Sequence, residues 1–136
     1  MRAALLAIVV SPLLSLLACA GNPAAPAGLP LGKPFELRHG QSAVVQGGLK
    51  VTFERVVSDS RCPMDAICVW AGEAVLGLTL SRGGGTPELR EVRADSAAPE
   101  IEFSSYRIRA VSLAPYPRSD RKPAPEEFVA TFTVTQ

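Results

Sequence analysis

Apolar and polar residues alternate with a period of two in several short runs of the chain, and this pattern favours β-strands. The clearest run lies near the C-terminus, where apolar side chains occupy every second position: Phe128, Ala130, Phe132 and Val134. Threonines fill most positions between them, so one face of the segment is apolar and the other polar, as in a half-buried strand. Leucines at every second position of 76–80 repeat the pattern. No segment shows apolar residues at helical spacing over three turns.

Further strands are predicted over residues 35–38, 42–46, 51–57, 87–93 and 106–113. A slip of the alternation at Val56 and Val57 predicts a β-bulge. Turn-forming residues separate the runs at 39–40, 47–48, 83–85 and 97–99. Seven or eight short strands within 35–136 indicate an all-β domain, either a small antiparallel β-sandwich or a barrel. The pattern does not distinguish these two architectures.

The N-terminus has the layout of a secretory signal peptide. One basic residue is followed by an apolar stretch, and 14 of residues 1–18 are hydrophobic. A transmembrane helix is the competing interpretation, but Pro12 interrupts the stretch and no charged residue follows directly. Residues 16–19, Leu-Leu-Ala-Cys, resemble the lipobox of bacterial lipoproteins. The resemblance implies cleavage after residue 18 and diacylglycerol on the thiol of Cys19, whereas the alternative is a plain signal peptide with Cys19 incidental.

This resemblance predicts an outer-membrane lipoprotein of the bacterial envelope, facing the periplasm and held to the membrane by its lipid. Ala20 follows the cysteine. By the same resemblance, an aspartate at this position would indicate retention in the inner membrane, whereas alanine favours the outer membrane. Residues 21–34 contain four prolines and three glycines, which favours a semi-extended spacer. We therefore divide the chain into a signal peptide (1–18), a lipidated cysteine with its tether (19–34) and a single β domain (35–136).

A pair of cysteines, Cys62 and Cys68, lies in a long connection between two predicted strands. Export places them in an oxidising compartment, and lipidation of Cys19 leaves them only each other as partners. A disulfide closing this short loop contributes about 2.4 kcal/mol on the chain-entropy model. A metal site is less favoured because the single histidine, His39, lies far away in the sequence. A redox pair is less favoured because its usual spacing is Cys-x-x-Cys.

The side chains around the two cysteines can be structural or functional. In the structural interpretation, Asp59 caps the turn and Arg61 pairs with an acidic neighbour, Asp65 and Glu73 included, or with backbone carbonyls. Trp70 then packs over the disulfide or caps the core, and Gly72 takes a backbone conformation that other residues resist. In the functional interpretation, Asp59, Arg61, Asp65, Trp70 and Glu73 belong to a partner-binding loop, since rigid loops with Trp and Arg make good binding hot spots.

The order Asp-Ser-Arg-Cys-Pro, four residues, then Cys-x-Trp-x-Gly resembles a signature of small, uncharacterised bacterial lipoproteins and exported proteins. The resemblance is strong over residues 57–73 and extends weakly to 113–117 and to the C-terminal strand. It implies a fold shared with that family. It implies no activity, because the family has none established.

Composition restricts the function further. The chain carries 14 basic and 13 acidic residues, a net charge of +1, and so lacks the basic face of a nucleic-acid-binding protein. It has no nucleophile motif and no glycine-rich phosphate loop. We therefore expect no enzymatic activity, no cofactor and no metal. The leading hypothesis is a non-catalytic envelope lipoprotein that binds or supports another envelope component. The alternative is an inhibitor of an exported hydrolase, a lysozyme or a protease, acting through the Cys62–Cys68 loop.

Overall fold

The computed structural model describes residues 27–95 and 97–136. The predicted signal peptide (1–18), the cysteine predicted to be lipidated and the first part of the predicted tether lie outside the described residues. The described part contains one short 3-10 turn, Pro125–Glu127. Its eight strands are β1 (Phe35–Arg38), β2 (Ser42–Val44), β3 (Leu49–Asp59), β4 (Ala74–Arg82), β5 (Glu88–Arg93), β6 (Ile101–Phe103), β7 (Tyr106–Ala114) and β8 (Val129–Thr135).

The strands form two antiparallel sheets of four strands each. One sheet has the order β1-β8-β7-β6 and the other β2-β3-β4-β5. The two sheets do not close into a barrel, so the architecture is the β-sandwich. The all-β prediction is confirmed, and tertiary structure settles the choice that the alternation left open.

The core lies between the sheets and follows the alternation of the strands. Phe132 of β8 and Phe53 of β3 are fully buried, and their rings meet across the sandwich with centroids 6.1 Å apart. The predicted inward positions of β4 and β8 are all buried. Burial of a side chain of this size contributes about 1.5–3 kcal/mol relative to exposure. No polar or charged residue is buried among residues 27–95 and 97–136, so the interior is filled by apolar side chains and the Tyr106 ring.

Two details of the strands bear on the sequence predictions. The register of β3 against β4 shifts between Phe53 and Arg55 and again between Val56 and Ser58, which confirms the predicted bulge. Strand β6 was not predicted, because its three residues lie between the turn-forming residues 97–99 and two serines and belong to no longer alternating run. It joins β7 through a turn in which Ser104 has a φ of 55°, and two serines are a weak hairpin signal beside Asn-Gly or Asp-Gly.

The sandwich has two ends that differ in structure. At the end that we call the loop end, β3 and β4 are joined by residues 60–73, and β7 and β8 by residues 115–128. At the opposite end, the hairpin end, short turns connect β2 to β3 and β4 to β5. The chain enters the described part at the hairpin end, where Leu29 bridges Val45 and the Gly32 N–H donates to the Val134 carbonyl at 2.8 Å.

Candidate partner-binding loop

The loop of residues 60–73 is an excursion from the β3–β4 hairpin, and its two sides stay paired at the base. The Ser60 N–H donates to the Glu73 carbonyl and the Cys62 N–H to the Ala71 carbonyl, both at 2.8 Å. The Ser60 hydroxyl also accepts a bond from the Glu73 N–H at 3.1 Å. The base of the loop therefore continues the strand ladder for several residues beyond β3.

A disulfide joins Cys62 to Cys68, as the sequence predicts, with the two Cα atoms 5.8 Å apart. The ring that it closes contains a turn in which the Ala66 N–H donates to the Pro63 carbonyl at 3.1 Å. The disulfide and this turn together restrict the backbone of residues 62–68.

Arg61 ties the loop to the end of β7 and to the segment that follows it. Its Nε and Nη2 donate to the two carboxylate oxygens of Asp59 at 2.8 and 2.6 Å. Its Nη1 donates to the Leu113 carbonyl at 2.6 Å and its Nη2 to the Pro115 carbonyl at 3.1 Å. The guanidinium carbon also lies 4.8 Å from the centre of the Tyr116 ring. The predicted pairing of Arg61 with Asp59 and with carbonyls is thereby confirmed.

The Arg61–Asp59 pair is shielded from solvent. The side chain of Arg61 is 8% exposed and that of Asp59 is 16% exposed. Asp59 also accepts a bond from the Arg61 N–H at 3.3 Å, which closes the turn as predicted. Both side chains are thus committed to contacts within the protein, and neither offers its charge to a partner.

Asp65 provides a second tie to the same segment. Its carboxylate accepts bonds from the Ser119 hydroxyl and from the Ser119 N–H, the latter at 2.9 Å. Bonds to the charged form, that of the hydroxyl first and that of the N–H second, lower the pKa of Asp65. The Met64 N–H adds a bond to the Pro117 carbonyl at 3.0 Å. The first half of the loop is therefore held along residues 113–119.

Glu73, the last member of the predicted binding set, stands at the foot of the loop. Its carboxylate lies 3.3 Å from a guanidinium nitrogen of Arg93, and both side chains are about half exposed, 51% and 50%. Exposed pairs of this kind contribute little to stability.

Trp70 is exposed, so the expectation that it packs over the disulfide or caps the core is wrong. It retains 82% exposure, and the side chain that lies against the end of β7 is Arg61. Three further apolar side chains of the same loop are exposed: Met64 at 64%, Ile67 at 104% and Val69 at 97%. We call Met64, Ile67, Val69 and Trp70 the apolar tip.

Three of these four residues were not predicted as binding residues from the sequence. Ile67 and Val69 flank Cys68 within a connection where polar turn residues are usual. Apolar side chains in a connection between two strands cannot be buried on the inner face of a sheet. Their presence in such a connection could have identified them as exposed residues. The five predicted binding residues divide accordingly: Asp59, Arg61 and Asp65 hold the loop, Glu73 forms a surface pair, and Trp70 belongs to the apolar tip.

Within residues 27–95 and 97–136, no three His, Cys, Asp or Glu side chains are grouped so that they could hold a metal ion. In the same part of the chain no helix is long and apolar enough to cross a membrane. Cys19, the predicted site of lipidation, lies outside the described residues.

Comparison of the chain with protein-family models, with curated proteins and with solved structures found no match.

Proposed function

We propose that this chain is a lipoprotein of the bacterial envelope whose non-catalytic β domain binds a protein partner through the apolar tip. The observation that carries the proposal is the exposure of four apolar side chains on one loop that is otherwise held by hydrogen bonds and a disulfide. Single exposed apolar residues are common, but four within the seven residues 64–70, one of them Trp, suggest an interaction surface. Binding to such a surface is driven by removing it from water.

The way in which the loop is held suits binding. A loop that is ordered before it meets its partner loses little conformational entropy on association. Arg61 and Asp65 keep the loop ordered through hydrogen bonds to residues 113–119. Trp70 supplies the largest apolar surface of the tip, and tryptophan is among the residues most enriched in binding hot spots.

The position of the tip supports a partner that lies away from the anchoring membrane. If Cys19 carries lipid, the ten residues from Cys19 to Leu29 span at most about 35 Å and join the domain at its hairpin end. The tip is at the opposite end, beyond β3, whose 11 residues extend for roughly 30 Å. A domain whose strands run perpendicular to the membrane therefore presents the tip away from the membrane surface.

Inhibition of an exported hydrolase remains the alternative, and the same loop would serve it. A loop whose backbone is closed by a disulfide and held by hydrogen bonds to the rest of the domain can enter a cleft without rearranging. Titration of the purified protein against lysozymes and proteases separates the two proposals. A fall in hydrolase activity that depends on Trp70 favours the inhibitor.

Contact at the tip can be tested by a photo-reactive amino acid at position 67 of the protein expressed in its own envelope. We expect a discrete cross-linked product, which Trp70→Ala removes. For the partner recovered in this way, Trp70→Ala should raise the Kd roughly thirtyfold or more, the loss typical of an aromatic hot spot. The midpoint of urea unfolding should stay unchanged, because the side chain makes little contact with the domain.

Leu89 supplies the matched control. It is 54% exposed on β5, away from the loop, so the photo-reactive residue at position 89 should give no such product. The proposal is contradicted by equal cross-linking from both positions, or by a Trp70→Ala protein that binds the recovered partner as tightly as the wild type.

Membrane attachment through Cys19 can be tested with Cys19→Ala. We expect the full-length variant to lose the acyl chains and to leave the membrane fraction, because two or more chains provide nearly all of the affinity. Mass spectrometry of the N-terminal peptide and fractionation of the envelope check this. A Cys19→Ala protein that is cleaved as usual and stays in the membrane fraction would show that the cysteine is incidental.

A further inference from the structure

Three sulfur atoms lie close together in the 60–73 loop, and one of them is an exposed thioether. Cys62 and Cys68 are joined in the disulfide, so neither has a free thiol. Met64 lies within the ring that this disulfide closes, and it is 64% exposed. Met64 carries the one thioether of residues 27–95 and 97–136, because Met1 lies outside that part of the chain.

The backbone on which Met64 stands is restrained. Its N–H donates to the Pro117 carbonyl at 3.0 Å, and the Ala66 N–H donates to the Pro63 carbonyl at 3.1 Å. The loop therefore keeps Met64 at a fixed place in the apolar tip while the side chain is open to solvent.

An exposed thioether is oxidised by peroxides to a sulfoxide. A thiolate would react first, but the disulfide leaves Cys62 and Cys68 without one. In the reaction with hydrogen peroxide, an S–O bond forms at the Met64 sulfur as the O–O bond breaks. The proton of the transferred oxygen passes to the other oxygen, which leaves as water. The sulfur loses the two electrons that the peroxide gains.

The sulfoxide oxygen would change the character of the apolar tip. Residues 66–72 carry no charged side chain, and the other three members of the tip are aliphatic or aromatic. A surface that complements such side chains is largely apolar and does not provide a hydrogen-bond donor for an added oxygen. Burying that oxygen in the complex would therefore cost free energy.

We propose that Met64 is a reversible oxidation site, at which hydrogen peroxide weakens binding by the apolar tip. The inference rests on the proposed function, because it concerns the regulation of the same site. Methionine sulfoxide reductases reverse the change: two thiols are oxidised to a disulfide, and the oxygen leaves as water. Oxidation and reduction would thus move the tip between a weakly binding and a tightly binding form.

The test treats the full chain with hydrogen peroxide and uses the partner recovered by cross-linking from position 67. Peptide mass spectrometry should show one added oxygen on Met64. The Kd should rise roughly five- to a hundredfold, the cost of burying a polar group without a hydrogen bond. Treatment with a methionine sulfoxide reductase should restore the original Kd. Met64→Leu keeps an apolar side chain of similar volume, so it should bind like the wild type and be insensitive to peroxide.

The matched control places a thioether away from the tip. Leu89→Met in the Met64→Leu protein puts it on β5, at a position where leucine is 54% exposed. Peroxide should oxidise position 89, and the Kd should stay unchanged. The proposal is overturned if Met64 resists peroxide under conditions that oxidise position 89. It is also overturned if oxidised wild type binds as tightly as untreated protein while Trp70→Ala binds weakly, a result that leaves the proposed function intact.

A second measurement needs no partner. On a phenyl resin, peroxide should shorten the retention of the wild type and leave that of Met64→Leu unchanged. Failure to recover any partner would count against the proposed function alone. Unchanged retention of the oxidised wild type would overturn the oxidation proposal, because the sulfoxide would then not alter the apolar tip.

Discussion

Replacing Arg61 by alanine should lower the free energy of unfolding by about 2–4 kcal/mol, because it leaves shielded groups without partners. The Asp59 carboxylate would lose both of its bonds to the guanidinium, and the Leu113 and Pro115 carbonyls would each lose a donor. Because the Asp59 side chain is still 16% exposed, we expect a somewhat smaller loss of stability than for a fully buried ion pair. Urea unfolding of the purified protein measures the effect.

Two further substitutions make this result specific. Arg61→Lys keeps the charge but cannot reach the carboxylate and two carbonyls at once, so it should recover only part of the lost stability. Arg90→Ala removes an arginine from a pair with Glu88 whose side chains are 47% and 50% exposed, and it should cost less than about 1 kcal/mol. Equal losses for Arg61→Ala and Arg90→Ala would mean that the Arg61 contacts contribute no special stability.

Replacing Gly72 by alanine should lower the free energy of unfolding by about 3 kcal/mol or more. Gly72 has a φ of +67°, a conformation that costs other residues about 1–2 kcal/mol. A Cβ atom at this position would lie only 1.8 Å from the Ser60 carbonyl oxygen. Because the contact is with backbone, the two sides of the loop must separate, and the bonds between Ser60 and Glu73 would be lost.

Gly83 is the matched control, since its φ is +56° and a Cβ would meet nothing within 4 Å. Gly83→Ala should therefore show only the conformational cost, about 1–2 kcal/mol. Unfolding midpoints of the two variants give the comparison, and amide exchange at Ser60 and Cys62 reports whether the base of the loop opens. If both variants lose the same free energy of unfolding, the close approach of Gly72 to Ser60 does not contribute to the cost of Gly72→Ala.

These predictions separate two groups of residues within one loop. Arg61, Asp65 and Gly72 determine whether the loop keeps its conformation, whereas the apolar tip should have almost no effect on stability. A loss of binding on changing Arg61 would therefore arise through the loop conformation. A loss on changing Trp70 would arise at the contact itself.

Much of the fold could be predicted from local patterns. Strands β4 and β8 follow directly from their alternating apolar residues, and the bulge in β3 from the slip at Val56. The pairing of Cys62 with Cys68 followed from the cysteine count, once Cys19 was assigned to lipid. Strand β6 could not be predicted, because its three residues gain their structure from pairing with β7.

The candidate site was harder to predict, because exposure depends on neighbours that are distant in the chain. Arg61 is shielded by carbonyls more than 50 positions away, and Asp65 is held by Ser119, 54 positions away. Nothing near Trp70 in the sequence shows that Arg61 lies against the end of β7. The sequence therefore left open, for Trp70 as for Arg61 and Asp65, whether the side chain packs within the protein or faces a partner.

The sequence by itself determined the class of fold, the β-strands with clear alternation and the disulfide, because each depends on residue periodicity or on the number of cysteines. Tertiary structure decided that the two sheets form a sandwich, and which side chains of the 60–73 loop face the protein or the solvent. These properties depend on contacts between segments far apart in the chain, and local patterns carry no information about such contacts.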